Sequence, residues 1–402
     1  MAPLLMRQVY QPGGGPGFSA AADEGADMAM KVLILTLVAL IARGNTAFAE
    51  RFVPGSPQSA PVKIIFNQER INACYVFIDA RTEQERKRDN KRGMPSGPPI
   101  VFFQGHAQRP SDLYAFTSSL AKMSKSGIVI VPVSDTPYGK DDAWRGDDGK
   151  EVILMELVRW VLASKGFEVK GYSPLCPYEV LIDGAPAGDG KGMISTSLVA
   201  VGWSHGGILA RRFAHAYPGS VTGLAQICPA GYEHWDTLKL TLRFMGESMR
   251  LSRFTRPGSR KAAARSAWGF TRGMAGDFFR SISAAALERN PAKVYRTGRD
   301  IQDCSLYCDS AVMSVERLDR IVVIFASDDT CMDVKKLMRC SDPEDITQEQ
   351  KNVFWETFYR DETRLDVQRT FKVLPGTHLA PVTHSTLYAR TILEHLAQMN
   401  NL

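Results

Sequence analysis

Short runs of consecutive apolar residues alternate along the chain with longer stretches whose apolar positions recur every three or four residues. The runs are VKIIF (62–66), CYVFIDA (74–80), PPIVFFQGHAQRP (98–110), IVIVPVSD (128–135), SLVAVGWS (197–204), VTGLAQICP (221–229), RIVVIFASDD (320–329) and TFKVLPGTHLAP (370–381). Unbroken β-branched runs of this length fit strands covered on both faces rather than strands with one wet face. Helical spacing is seen in LYAFTSSLAKMSKSG (113–127), EVILMELVRWVLASKG (151–166), GGILARRFAHAYP (206–218) and a last segment from about Thr383 to Met399. The alternation predicts an α/β protein, a doubly wound and mostly parallel sheet with helices on both faces.

Two stretches break this rhythm. Residues 231–319 contain no strand-like run, and excursions of that length inside a sheet fold are usually helical, so the segment is expected to be a helical cap inserted between two late strands. The core would then comprise residues 50–230 and 320–402. At the other end, residues 1–27 are rich in Gly, Ala and Pro and read as a flexible lead. Residues 28–49 have Lys31, an apolar run of eleven residues from Val32 to Ala42, and Ala47-Phe48-Ala49 before Glu50. A basic start, a short apolar centre and an A-x-A end are the parts of a secretory signal peptide, and the run falls short of the ~20 apolar residues needed to cross a bilayer. The expectation is a secreted or periplasmic protein. Because a signal normally begins a chain, Met28 or Met30 is an alternative start, which would leave the lead outside the native protein.

Composition narrows the partners. The 402 residues are 44% hydrophobic and 23% charged with a formal net charge of +6, an ordinary globular balance without zinc-finger or RNA-binding spacing, so nucleic acid is not expected as a partner. The charge is unevenly spread: from Arg243 to Arg299 there are thirteen Lys or Arg against Glu247, Asp277 and Glu288. That surface is either a solvated helical face or a positive field toward an anionic substrate or an anionic membrane surface touched peripherally. Export would place seven cysteines where pairing is allowed, with Cys331 and Cys340 the first pair to consider. No C-x-x-C pair and no histidine at finger spacing suggests a metal site.

The chemistry concentrates where the run LVAVGW ends. Gly202-Trp203-Ser204-His205-Gly206 places a serine between glycines at a strand-to-helix junction, as a sharp turn needs if the hydroxyl is to stand clear of the backbone. On GWSHGG, FFQGHAQ, IVVIFASDDTCMDV and VLPGTHLAP, taken in that functional order, the chain resembles the α/β-hydrolase superfamily over about Val62 to Leu396, outside the inserted segment. The resemblance implies a nucleophile at Ser204, a general base at His378 and an orienting acid at Asp329, with Asp328 as the alternative acid, Asp333 a more remote one and His384 a rival base. It implies an oxyanion hole built from the backbone N–H groups of His205 and of His106, where the Gln104-Gly105-His106 order departs from the His-Gly often found in relatives and leaves Ala107 as an alternative to His106. The activity implied is hydrolysis of a carboxylic ester, or a thioester or amide, through an acyl-enzyme. The substrate would be a small-molecule or lipid ester, with no metal or organic cofactor. An acyltransferase with the same residues and a non-catalytic binding protein on this scaffold are the alternatives.

Overall fold

In a computed structural model the described residues are 60–66, 69–105, 113–134, 150–171, 180–182, 193–232, 243, 318–359 and 367–398. The lead (1–27), the signal-like segment (28–49) and nearly all of the expected cap (231–319) lie outside them.

The strands are β1 (Ala60–Phe66), β2 (Glu69–Asp79), β3 (Ile100–Phe103), β4 (Ile128–Ser134), β5 (Phe167–Val169), β6 (Val180–Ile182), β7 (Ile194–Thr196), β8 (Leu198–Trp203), β9 (Val221–Ile227), β10 (Arg320–Ala326) and β11 (Gln368–Leu374). Nine of them form one sheet in the order β11-β10-β9-β8-β3-β4-β2-β1-β6, while β5 and β7 make a separate parallel pair. The six strands from β11 to β4 are mutually parallel, and β2, β1 and β6 continue the sheet in antiparallel fashion. The predicted mostly parallel sheet is present, and its central members β3 and β8 are buried at every residue, which is why they read as continuous apolar runs.

The helices are α1 (Glu83–Arg92), α2 (Tyr114–Met123), α3 (Lys150–Ala163), α4 (His205–Ala216), α5 (Val334–Met338), α6 (Gln348–Phe358), α7 (Ala380–Thr383) and α8 (Ser385–His395). Helix α2 carries the chain from β3 toward one edge and α4 carries it from β8 toward the other. Right-handed crossovers running in opposite directions put their helices on opposite faces, so the sheet is doubly wound. Strand order, crossovers and the turn between β8 and α4 together make this an α/β-hydrolase fold.

The segment expected to be helical from about Thr383 to Met399 contains helix α8, and the short α7 before it meets α8 at His384, whose N–H is bonded to the Ala380 carbonyl. Helix α1 has no apolar stripe. Its signals are terminal instead: a Thr82/Glu85 capping box, and Gly93 in the left-handed conformation at its end. Its only buried residue is Asp89, which accepts hydrogen bonds from Arg81 and Ser96. The pairing of Cys331 with Cys340 does not form, because Cys340 is a free thiol. No helix among the described residues is long and apolar enough to cross a membrane.

Helix α4 sits so close to β8 that Gly202 has no room for a side chain: a Cβ there would lie 2.0 Å from the Gly206 carbonyl oxygen and 2.8 Å from the Ala210 Cβ. At Gly223 in β9 the nearest atoms would be ends of Leu396 and Val199 at 3.3 and 3.4 Å, which can give way. Gly202→Ala is therefore expected to destabilise the fold by about 3 kcal/mol or more, the upper part of the overpacking range, and Gly223→Ala by less than about 1 kcal/mol, as measured by denaturant unfolding.

Candidate active site

Ser204 occupies the single residue between β8 and α4, at φ 56° and ψ −123°. That region is unfavourable for any residue with a Cβ and persists only where the surroundings impose it. Here the Ser204 N–H is bonded to the Ile227 carbonyl at 2.9 Å, and its own carbonyl accepts from Gly207 at 2.9 Å and Ala230 at 3.1 Å. Gly206 keeps the turn tight, since a Cβ there would meet the Phe103 and Gln104 carbonyl oxygens at 2.1 and 2.5 Å. The start of α4 is thus pressed against Phe103 and Gln104 at the end of β3.

The residue types that the sequence singles out come together at this turn. His378 Nε2 lies 3.0 Å from Ser204 Oγ, and His378 Nδ1 lies 2.8 Å from Asp329 Oδ2. An ionised carboxylate can only accept, so Nδ1 carries the proton and Nε2 is the acceptor facing the serine hydroxyl. All three side chains are buried. The second carboxylate oxygen of Asp329 accepts from the amides of Cys331 and Met332, both at 2.8 Å, which orients the carboxylate without using the oxygen that faces His378.

Two loops deliver these groups. The turn after β10 carries Asp329 and the turn after β11 carries His378, and backbone bonds from Ser327 to Leu374 (2.8 Å) and from Asp328 to Gly376 (2.9 Å) join them. The imidazole also leans on Trp203, whose indole N–H donates to the His378 carbonyl at 3.0 Å and whose ring centre is 5.8 Å away. Trp203 is a core aromatic, as its place in the turn suggests, but this hydrogen bond has no signature in the sequence.

The other candidates stand apart. Asp328 is exposed and accepts from Ser327 Oγ. Asp333 caps α5 by accepting from the amides of Lys335 and Lys336. His384 is exposed and its Nδ1 pairs with Thr383 Oγ1. His205 occupies the first position of α4, and its side chain is buried rather than set at an open mouth. His106 and Ala107 lie outside the described residues.

Beneath the turn, a buried polar network ties α4 to the far side of β9 and to α6. Gln226 Nε2 donates to the Gly207 carbonyl at 2.8 Å, and its oxygen accepts from the hydroxyls of Tyr232 and Tyr359, which also touch each other. Arg211 stacks over the Tyr359 ring and donates to the Phe358 carbonyl. Burial pushes the Tyr359 hydroxyl well above its ordinary pKa, so it remains a neutral donor. One further group faces the carboxylate: Cys228 Sγ, an Asp329 oxygen and a His378 ring nitrogen all lie within 4.8 Å of one another.

No protein-family model and no curated protein matches the chain. Among solved structures it is similar to an enol-lactonase from Burkholderia xenovorans (12% identity, 85% of this chain and 100% of that one, TM-score 0.46). It is also similar to a hydrolase from Pseudomonas aeruginosa (11%, 83% and 98%, TM-score 0.45) and to a bacterial membrane phospholipase A (14%, 99% of both chains, TM-score 0.44).

A proton held between imidazole and a buried carboxylate resonates far downfield in the proton NMR spectrum. Such a signal is expected from the protein, lost in Asp329→Asn and retained in Asp328→Asn. Its survival in Asp329→Asn would show that another group holds His378.

Proposed function

We propose that the protein is a serine hydrolase of carboxylic esters, and the single observation that carries this reading is the unbroken chain from Ser204 Oγ through His378 to Asp329. A serine hydroxyl is a poor nucleophile at neutral pH and needs a base within hydrogen-bond reach, which His378 Nε2 is. In the proposed reaction Ser204 Oγ attacks the ester carbonyl carbon while its proton passes to Nε2. The imidazolium, held in place by Asp329, then gives that proton to the leaving alcohol as the C–O bond breaks. Water, deprotonated by the same nitrogen, attacks the acyl-enzyme and releases the acid and Ser204. The oxyanion would be stabilised by the first-turn amide of His205 and by a donor from the loop after β3, for which His106 is the candidate.

This assignment predicts that a fluorophosphonate probe labels the wild-type protein, that Ser204→Ala abolishes both labelling and hydrolysis of 4-nitrophenyl esters, and that its far-UV circular dichroism is unchanged. Persistent hydrolysis by pure Ser204→Ala would refute it. Labelling without ester hydrolysis would favour acyl transfer to an acceptor other than water, and an unlabelled wild type would favour a binding protein on this scaffold.

The substrate is proposed to be a small-molecule or lipid ester, anionic or presented at an anionic membrane surface outside the cytoplasm. Support comes from the signal-like segment 28–49 and from the thirteen basic residues between Arg243 and Arg299. Arg243, the first of them, donates to the Thr330 carbonyl at 2.6 Å, adjacent to Asp329, which supports a link between this segment and the site. Exposed charges are screened beyond about 8 Å at physiological ionic strength. Rising salt is therefore expected to lower kcat/KM steeply for an anionic ester and little for a neutral one of the same size; equal responses would leave these charges without a role in recognition.

A further inference from the structure

Asp329 has more partners than orienting the imidazole requires. Cys228, the residue after β9, is fully buried with its backbone in the left-handed region at φ 42°, its N–H bonded to the Ile324 carbonyl at 2.7 Å. This backbone conformation turns the side chain toward the neighbouring strand end, where Sγ lies within 4.8 Å of both an Asp329 oxygen and a His378 ring nitrogen. The Asp329 carboxylate and the Ala326 amide are among the polar groups that act on the sulfur. Because an ionised carboxylate offers only acceptors, the S–H is the part of the thiol that can interact favourably with Asp329. Burial first, and then the Asp329 charge, hold the thiol well above its ordinary pKa, so the S–H remains a donor through the neutral range.

We infer that Cys228 is a positioning residue for the proposed triad, its thiol donating to the Asp329 carboxylate and so setting both the orientation of that carboxylate and the strength with which it holds the imidazolium. The inference rests on the serine-hydrolase reading above. The donors then divide among the carboxylate's lone pairs: two amides on Oδ1, His378 on Oδ2, and the thiol as a fourth contact. Other titratable groups around the thiol are Cys331, on the loop that carries Asp329, and Tyr388, from α8, which is itself close to Asp329 and Asp328.

The sign of the effect follows from charge. A donor to the carboxylate withdraws negative charge from the side that faces His378. Removing it strengthens the attraction between carboxylate and imidazolium, so protonation of His378 persists to higher pH. Cys228→Ala is therefore expected to move the acid limb of the pH–rate profile upward by about half a unit. Lost orientation of the carboxylate outweighs the stronger attraction and is expected to lower the plateau rate by about threefold to tenfold, as fits one weak hydrogen bond to an ionised acceptor. Cys228→Ser keeps a donor and should restore both. All three residues carry a Cβ, so the backbone strain at this position is the same in each variant.

The test is the second-order rate of Ser204 labelling by a fluorophosphonate from pH 5 to 9, for the wild type, Cys228→Ala and Cys228→Ser, with thermal unfolding of each. A slowed Cys228→Ala with a raised acid limb, and a Cys228→Ser within twofold of wild type, support the inference. An unshifted limb in Cys228→Ala overturns it, including when the rate and Tm fall, since lost packing lowers both without moving the limb. If Cys228→Ala does not fold, Cys228→Ser decides alone, and an acid limb above that of the wild type overturns the inference. A wild type that takes no label refutes the hydrolase reading itself, a result distinct from any of these.

Discussion

The conformation of Ser204 is the constraint on which the rest of the site depends. A residue with a Cβ held at φ 56° and ψ −123° costs on the order of 1–3 kcal/mol, and nothing in the residue itself compensates. The compensation is built around it. Its N–H and carbonyl make three backbone bonds that reach β9, the turn beyond β9 and the first turn of α4, while Gly202 and Gly206 let strand and helix approach until any side chain would collide with backbone. The hydroxyl therefore stands at the ends of the parallel strands, where the loops after β10 and β11 also emerge.

The buried charge of Asp329 imposes a second condition. A carboxylate removed from water must be matched by donors, or it would take up a proton. Two amides of its own loop and the imidazole of His378 supply them. Because the Asp329 and His378 loops are stitched together by the Ser327–Leu374 and Asp328–Gly376 bonds, displacement of one loop carries the other with it. Geometry at the serine thus depends on the parallel pairing of β10 with β11 as well as on the turn itself.

Support also comes from further away. The Gln226, Tyr232 and Tyr359 network anchors the first turn of α4 through the Gly207 carbonyl, and the aromatic cluster of Phe325, Phe354, Phe358 and Phe371 fills the space between α6 and the sheet edge. Buried polar networks of this kind are costly when incomplete, because each member loses water on burial. Their role here is to hold α4 in one place.

Local pattern was enough for a mostly parallel sheet and for the turn at Ser204. Burial on both faces writes itself as unbroken β-branched runs, and a hydroxyl raised from a strand end needs glycines at fixed spacing. The positions of His378 and Asp329 after the last two strands were legible only through resemblance. Helix α1 was not legible from periodicity, since EQERKRDNKR has no apolar face and only its capping residues betray it; β5, β6 and β7 are three residues each, too short to carry a pattern. The tertiary structure alone decided that Asp329 turns inward while Asp328 faces water, that Trp203 bonds the His378 carbonyl, that Cys340 stays unpaired with Cys331, and that Cys228 reaches Asp329 across 101 positions. Periodicity records what each residue needs from its surroundings, whereas contact between distant residues depends on strand register and loop path, which exist only once the chain is packed.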